Sequence, residues 1–292
     1  MATAPLLAAA LCLGAATTGG AEPTAASAER LFEDRLDPAV LDQSIDALAT
    51  VATLSPADAD TRLLLAQAEA FWADLHAQAP IAALDRHLSS GIAAAGEALS
   101  LLSPRYGRNA RRGESLLATL AEVEPSGAEA LYWLAADQHR LAAAHGLPWL
   151  LLEEPELRRL FRRVIELAPA TWFGGAYRHL AELDLALPTG FGAGLATAGQ
   201  ELDAAGRLGP GLLTNHLVRA ERWAVKAQDY RMFLRELDVV DGPPPIETPE
   251  IWPENELCRR RARALRAAAD DLFTRGARAA VTSAPPNPKI GR

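Results

Sequence analysis

The side chains that could carry chemistry are scattered along this chain. No two histidines stand four residues apart, the spacing that places two metal ligands on one helix face. His139 and His145, which are six residues apart, point to different faces of a helix. The six histidines are His76, His87, His139, His145, His179 and His216. We therefore expect the histidines to be surface or capping residues, and we predict no metal site.

Paired carboxylates are present, but they do not indicate acid–base catalysis. Glu153 and Glu154 precede Pro155, where they complement the positive end of the following helix, which we predict over 156–167. Asp270 and Asp271 are interpreted as solvated charges. The chain also lacks the nucleophile motif G-x-S-x-G, a glycine-rich phosphate loop and the zinc motif H-E-x-x-H. These observations predict a binding protein rather than an enzyme, with no cofactor.

The aromatic residues leave two interpretations open. Six tryptophans occur in a chain that is only 6% aromatic. They either fill gaps between alanine-rich helices or line an apolar cavity, where Trp N–H and Tyr O–H groups orient a ligand. We name as candidate lining residues three clustered aromatic residues and one polar residue on an otherwise apolar helix: Trp133, Trp172, Tyr177 and Asn215.

Two adjacent glycines, Gly174 and Gly175, fall near the start of a predicted helix. Glycine costs about 1 kcal/mol per residue there relative to alanine, so the pair needs a reason. Close packing of a neighbouring helix and close approach of a ligand both supply one.

These residues must be positioned by helices. The hydrophobic fraction is 49%, much of it alanine and leucine, and no long segment alternates apolar and polar residues. Proline-containing turns recur between apolar stretches of helical period, as at Asp37-Pro38, Ser55-Pro56 and Ser103-Pro104. Helix, short turn, helix is typical of tetratricopeptide repeats, although the spacing drifts from a strict 34-residue period. We predict an all-α fold of degenerate tetratricopeptide-like hairpins that form a compact α-solenoid.

Residues 28–273 are predicted to form one helical domain, followed by a disordered tail over 274–292. A net charge of −8 argues against nucleic acid as a partner, because phosphate binding requires a basic face. The two cysteines, Cys12 and Cys258, do not predict a disulfide framework.

The N-terminus predicts export. Pro5 to Ala16 is an uncharged apolar run, shorter than the roughly 20 residues of a membrane-spanning helix. Small residues follow it, up to Ala21 before Glu22. We expect residues 1–21 to be a cleaved signal peptide. Lipid anchoring at Cys12 is the alternative, although the large Leu11 before it fits a lipoprotein signal poorly.

Several ordered motifs together resemble one family. They are AxxLF from residue 28, ALYWLAA at 130–136, FGGAYR at 173–178, PEN at 253–255 and DDLF at 270–273. In this order and spacing the chain resembles the TRAP transporter T-component (TatT) family over about residues 28–273. The resemblance implies a periplasmic protein of tetratricopeptide-like hairpins, with trimers and a ligand-sized pore in each subunit among family members. It also implies a partner, the periplasmic solute-binding protein of a TRAP transporter, which moves organic acids or hydrophobic ligands.

Two hypotheses of function result. In the first, the protein is a periplasmic accessory of a TRAP-type uptake system that binds a small organic or hydrophobic ligand, the solute-binding protein, or both. In the second, it is a periplasmic protein–protein scaffold with no small-molecule ligand.

Overall fold

The computed structural model describes residues 22–188 and 194–282, and every regular element within these ranges is helical. The predicted signal peptide with Cys12 and the end of the predicted tail lie outside the described residues. The first helices are α1 (Ala25–Glu33), α2 (Pro38–Leu54), α3 (Ala59–Leu75), α4 (Ile81–Leu102), α5 (Pro104–Ala110), α6 (Leu116–Thr119), α7 (Ala128–Ala144), α8 (Leu147–Leu167) and α9 (Thr171–Ala186). The all-α prediction is confirmed.

The later helices are α10 (Gly194–Leu208), α11 (Thr214–Val218), α12 (Val225–Ala227), α13 (Tyr230–Asp241), α14 (Trp252–Ala267), α15 (Ala269–Leu272) and α16 (Arg275–Thr282). A π-helical segment, Arg219–Ala224, joins α11 to α12. Short 3₁₀ turns over Leu120–Glu122 and Pro125–Gly127 lead into α7. The helical stretch from α11 to α12 therefore changes its hydrogen-bonding pattern midway.

Local capping explains where the first helices begin. The Asp37 carboxylate accepts hydrogen bonds from the backbone N–H groups of Ala39 and Val40, and Pro38 occupies the first turn. At the next turn Asp58 is the capping residue. Ser55 instead ends α2, so Ser55-Pro56 separates these two helices but does not cap the second one.

Consecutive helices pack against each other from α1 to α4 and from α7 to α10, as expected for stacked hairpins. Their buried side chains form a first core that extends from Ala28 to Leu183. A second core, from Leu213 to Phe273, lies among α11, the π-helical segment, α13, α14 and α15. The two cores define the two sides of the site described below.

The structure departs from the predicted bounds in two places. Helix α8 begins at Leu147 and contains Pro155, although a start at Glu156 was predicted. Buried residues on both sides of this proline, Leu150 and Leu157, hold the two halves in one helix. Residues 275–282, predicted as part of a disordered tail, form α16, which packs against α13 with Ala277 at the second core.

Within the described ranges, no helix combines the length and apolar character that crossing a bilayer requires.

Candidate ligand-binding cavity

A cavity of about 510 Å³ lies between the two cores, and we call it the central cavity. Helices α3, α7 and α9 form one side, with residues such as Phe71, Trp133 and Glu182. Residues of α11, the π-helical segment, α12 and α14 form the other, among them Leu217, Arg222 and Leu257. This volume is in the range of pockets that hold small molecules.

Two of the four predicted lining residues lie in its wall. Trp133 and Trp172 both line the central cavity, and their ring centroids are 4.8 Å apart. Trp133 is buried, whereas Trp172 is partly exposed. Trp133 also packs edge-on against Tyr132 behind it. The two sequence interpretations are therefore not exclusive, because these aromatic residues pack in the core and present a surface to the cavity.

The other two predicted residues do not line the central cavity. Tyr177 is half-buried on α9 outside it. Asn215 is fully buried, and its amide group donates hydrogen bonds to the carbonyls of Phe173, Ala205 and Gly209. It was predicted to line a cavity because it is the polar residue of an otherwise apolar helix. The structure shows that its amide mainly satisfies backbone carbonyls, and it also borders a shallower pocket of about 310 Å³.

Asn215 affects the cavity indirectly, through Arg178. The Asn215 Oδ1 atom accepts a hydrogen bond of 2.8 Å from the Arg178 guanidinium, which also donates to the Tyr132 hydroxyl at 3.1 Å. Arg178 is only 3% exposed and lines the central cavity. Both oxygens that accept hydrogen bonds from Arg178 are neutral, so they hold the guanidinium in place without compensating its positive charge.

Two further cations of the wall also lack a carboxylate partner. Lys226 donates to the backbone carbonyls of Leu185 and Leu187 at 2.7 and 2.8 Å. Within the described ranges, neither Lys226 nor Arg222 nor Arg178 forms an ion pair, whereas Arg140 is paired with Asp74. Three positive groups therefore remain available to a negatively charged ligand.

His139 and His179 contradict the prediction that the histidines are surface or capping residues. Both are buried in the cavity wall, and their Nδ1 atoms are 3.0 Å apart. The His179 Nδ1 atom also lies 2.8 Å from a carboxylate oxygen of Glu182. The i, i+3 spacing of His179 and Glu182 was a signal in the sequence, but nothing local connects them with His139 on α7.

Burial determines the protonation of this group. Burial, together with the neighbouring His179, lowers the pKa of His139 to about 3, and burial also lowers the pKa of His179. Burial opposes ionisation of Glu182. The hydrogen bond from His179 and the positive charge of Arg178 nevertheless hold the pKa of Glu182 below its usual value. Near neutral pH the group therefore consists of two uncharged imidazoles and one carboxylate.

The first turn of α9 runs left-handed where a regular helix was predicted. The φ angles are 43° at Trp172, 57° at Phe173 and 73° at Gly174. Each non-glycine residue in this conformation costs about 1–2 kcal/mol, and such strain is concentrated at functional sites. This segment carries Trp172 into the cavity wall.

Close packing explains the two adjacent glycines. A Cβ atom on Gly174 would lie 2.8 Å from the Ala205 Cα atom of α10, and one on Gly175 would lie 2.6 Å from ring carbons of Tyr132. The helix-packing interpretation of Gly174-Gly175 is therefore confirmed.

No curated protein matches this chain. The family model of the TRAP transporter T-component matches residues 57–273, about three quarters of the chain. The matched range contains every residue of the cavity wall described above. The chain belongs to the TRAP transporter T-component family.

Proposed function

We propose that this protein is a periplasmic accessory of a TRAP-type uptake system that binds a small organic anion in the central cavity. Membership of the T-component family supports the association with a TRAP transporter. The observation that carries the ligand class is the set of three cations without carboxylate partners beside Trp133 and Trp172. The protein binds its ligand and does not change it chemically.

The cavity wall matches the two parts of such a ligand. Trp133, Trp172, Phe71 and Leu217 provide apolar surface for a hydrocarbon portion. Arg178, Arg222 and Lys226 provide donors for a carboxylate, and hydrogen bonds between charged groups are roughly twice as strong as those between neutral ones. A ligand with one apolar part and one carboxylate uses both.

We further propose that the protein partner is the solute-binding protein of the transporter. A group of exposed apolar side chains at the start of α8 is compatible with such a contact: Leu147, Trp149, Leu151 and Leu152. Leu152 is 73% exposed, and a group of exposed apolar side chains, unlike a single one, marks surfaces that bind other proteins.

Tryptophan fluorescence tests the ligand. Titration with octanoate and with succinate is compared with titration by octanamide and succinamide, which lack the negative charge. We expect a saturable change with at least one carboxylate and none with its amide. The change is expected to become smaller in Trp172→Phe, because Trp133 remains in the cavity wall, and to be unaltered in Trp149→Phe, because Trp149 lies outside the cavity.

Substitution of a cation tests the recognition of charge. Arg222→Gln should weaken carboxylate binding about tenfold, the effect of losing about 1.5 kcal/mol of charge-assisted hydrogen bonding. Arg263→Gln, an exposed arginine on α14 outside the cavity, should leave it unchanged. If the amides bind as strongly as the carboxylates, the proposal that the ligand is an anion is wrong. A solute-binding protein retained by the immobilised chain, with no response to any small molecule, would favour the scaffold hypothesis instead.

A further inference from the structure

Three potential metal-ligand atoms converge on the wall of the central cavity. They are Nδ1 of His139 on α7, and Nδ1 of His179 and Oε2 of Glu182 on α9. The distances are 3.0 Å between the two nitrogens, 2.8 Å from His179 to Glu182 and 3.8 Å from His139 to Glu182. Helix α9 places its two residues on one face, and α7 brings in the third.

These distances suit ligands of one metal ion. Zinc binds imidazole nitrogen and carboxylate oxygen at about 2.0–2.2 Å, and ligands in a tetrahedral site are therefore about 3.3 Å apart. The observed triangle is close to that size, and small rotations of the Glu182 side chain would make it more regular. No movement of either helix is needed.

Hydrogen bonds among these three atoms do not use all of their donors and acceptors. If the His179 Nδ1–H group donates to Glu182, the lone pair of His139 Nδ1 must share that same proton. If both Nδ1 atoms carry hydrogen, two N–H groups face each other at 3.0 Å. A cation at the centre of the triangle satisfies two nitrogen lone pairs and one carboxylate oxygen at once.

The surroundings hold the ligands in place. Phe161 stacks on His179 with ring centroids 5.0 Å apart and meets His139 edge-on. The Tyr132 hydroxyl lies 3.4 Å from His179 Nε2, where it can accept the N–H that a metal-bound ring carries.

The positive groups nearby define what the site can hold. Arg140 faces the group, but Asp74 and Asp137 compensate its charge. Arg178 and Arg222 face it without an ion pair in the described ranges. They oppose a bare divalent cation and favour one that carries an anionic ligand on the side open to the cavity.

We infer that His139, His179 and Glu182 bind one divalent transition-metal ion of the zinc type in the wall of the central cavity. Two imidazoles and one carboxylate form a donor set that suits such ions and leaves coordination positions open. All three residues line the cavity, so the open positions face its interior. This inference does not depend on the organic anion, since any small anion can occupy the coordination positions that the three side chains leave open.

The test is a titration of chelator-treated protein, produced without a polyhistidine tag, with ZnCl₂ against a chromophoric zinc indicator. We expect one equivalent bound by the native chain. Glu182→Gln and His139→Ala should each weaken binding by at least about tenfold, because even outer-sphere partners of zinc sites change affinity by roughly 10–100-fold. His216→Ala is the matched control, because His216 also lies 2.7 Å from a glutamate, Glu236, but the described part of the chain offers no third ligand there.

Substitution with Co²⁺ gives a second measurement. A bound ion with nitrogen and oxygen ligands should produce visible absorption bands that are absent from Glu182→Gln. Far-ultraviolet circular dichroism identifies any variant that fails to fold; Glu182→Gln keeps the shape of the side chain and decides the result if His139→Ala unfolds. Zinc binding that is absent, or that is equal in the native chain and Glu182→Gln, would overturn the inference.

Discussion

Tyr132 connects the packing of the helices with the charge in the cavity. Its side chain is fully buried, and its hydroxyl accepts a hydrogen bond from Arg178, one of the three cations proposed to bind the ligand. Gly175 on α9 lies directly against the Tyr132 ring. The absence of a side chain at residue 175 therefore allows α7 and α9 to approach closely enough for this contact.

Replacement of Gly175 by alanine tests this contact. The new methyl group would lie 2.6 Å from ring carbons of Tyr132, which is buried and has no room to move. We expect Gly175→Ala to lower the free energy of unfolding by about 1–3 kcal/mol, the usual cost of overpacking. Urea denaturation measures it.

Gly206 is the matched control on α10, since a Cβ atom there would meet nothing within 4 Å. Gly206→Ala should raise the free energy of unfolding by about 0.4–1 kcal/mol, because alanine restricts the unfolded chain and favours helix. If both variants have the stability of the native protein, the close approach of α7 and α9 at Gly175 is not as described.

At the level of the elements, α3 contributes Phe71 and Asp74 to the cavity, and its start is determined by Asp58. The Asp58 carboxylate accepts hydrogen bonds from the Thr61 hydroxyl at 2.6 Å and from the Thr61 backbone N–H at 3.1 Å. The first of these bonds, and after it the second, lower the pKa of Asp58 below the ordinary value of an aspartate.

Asp58→Ala should destabilise the protein by about 1 kcal/mol at pH 7, the usual cost of losing an N-cap. A carboxyl group whose pKa is lower in the folded state stabilises the fold above the unfolded pKa, and this contribution is lost as the pH falls through the folded value. The difference in stability between native protein and Asp58→Ala should therefore be constant above about pH 5 and decrease as the pH falls below the ordinary aspartate pKa of about 3.9. Denaturation curves at several pH values measure it.

Asp46, exposed in the middle of α2, provides the comparison. Asp46→Ala removes the same group away from a helix start and should change stability by less than about 0.5 kcal/mol. A loss as large as that of Asp58→Ala would show that the effect is not due to capping.

At the level of the whole molecule, Arg35 connects the N-terminal helices with the far side of the cavity. Its guanidinium, 2% exposed, donates to both carboxylate oxygens of Glu254 on α14, at 3.1 and 2.6 Å, and to the Glu250 carbonyl. It also lies over the Phe32 and Phe71 rings. Residue 35 precedes the range that the family model matches, so the contacts of Arg35 with Glu250 and Glu254 join the N-terminal helices to the matched range.

Arg35→Met should lower the free energy of unfolding by about 3–5 kcal/mol, because it leaves the Glu254 carboxylate buried without its partner. The double variant Arg35→Met/Glu254→Gln should lose clearly less than the sum of the two single variants. Arg266→Met, which removes an exposed pair with Asp238 and Asp241, should cost less than about 1 kcal/mol. If Arg35→Met and Arg266→Met have equal effects in thermal and urea denaturation, the buried ion pair of Arg35 with Glu254 does not join the helices as described.

The helical fold was predictable because its signals are local. Alanine and leucine favour helix, and Asp37-Pro38 and Ser103-Pro104 separate successive helices through backbone restrictions that act within a few residues. The interior proline of α8 and the last helix, α16, were mispredicted because packing against other helices overrode the local preference.

The sequence by itself determined that the chain is helical, that it belongs with T-component proteins and that Trp133 and Trp172 are candidates for a site. Only the tertiary structure decided that Asn215 accepts a hydrogen bond from Arg178 and that Tyr177 lies outside the cavity. It also decided that His139 lies close to His179 and Glu182. The physical reason is that a side chain's neighbours across two helices depend on how those helices cross. That crossing is set here by glycine contacts and by the left-handed segment at Trp172–Gly174, which no local pattern encodes.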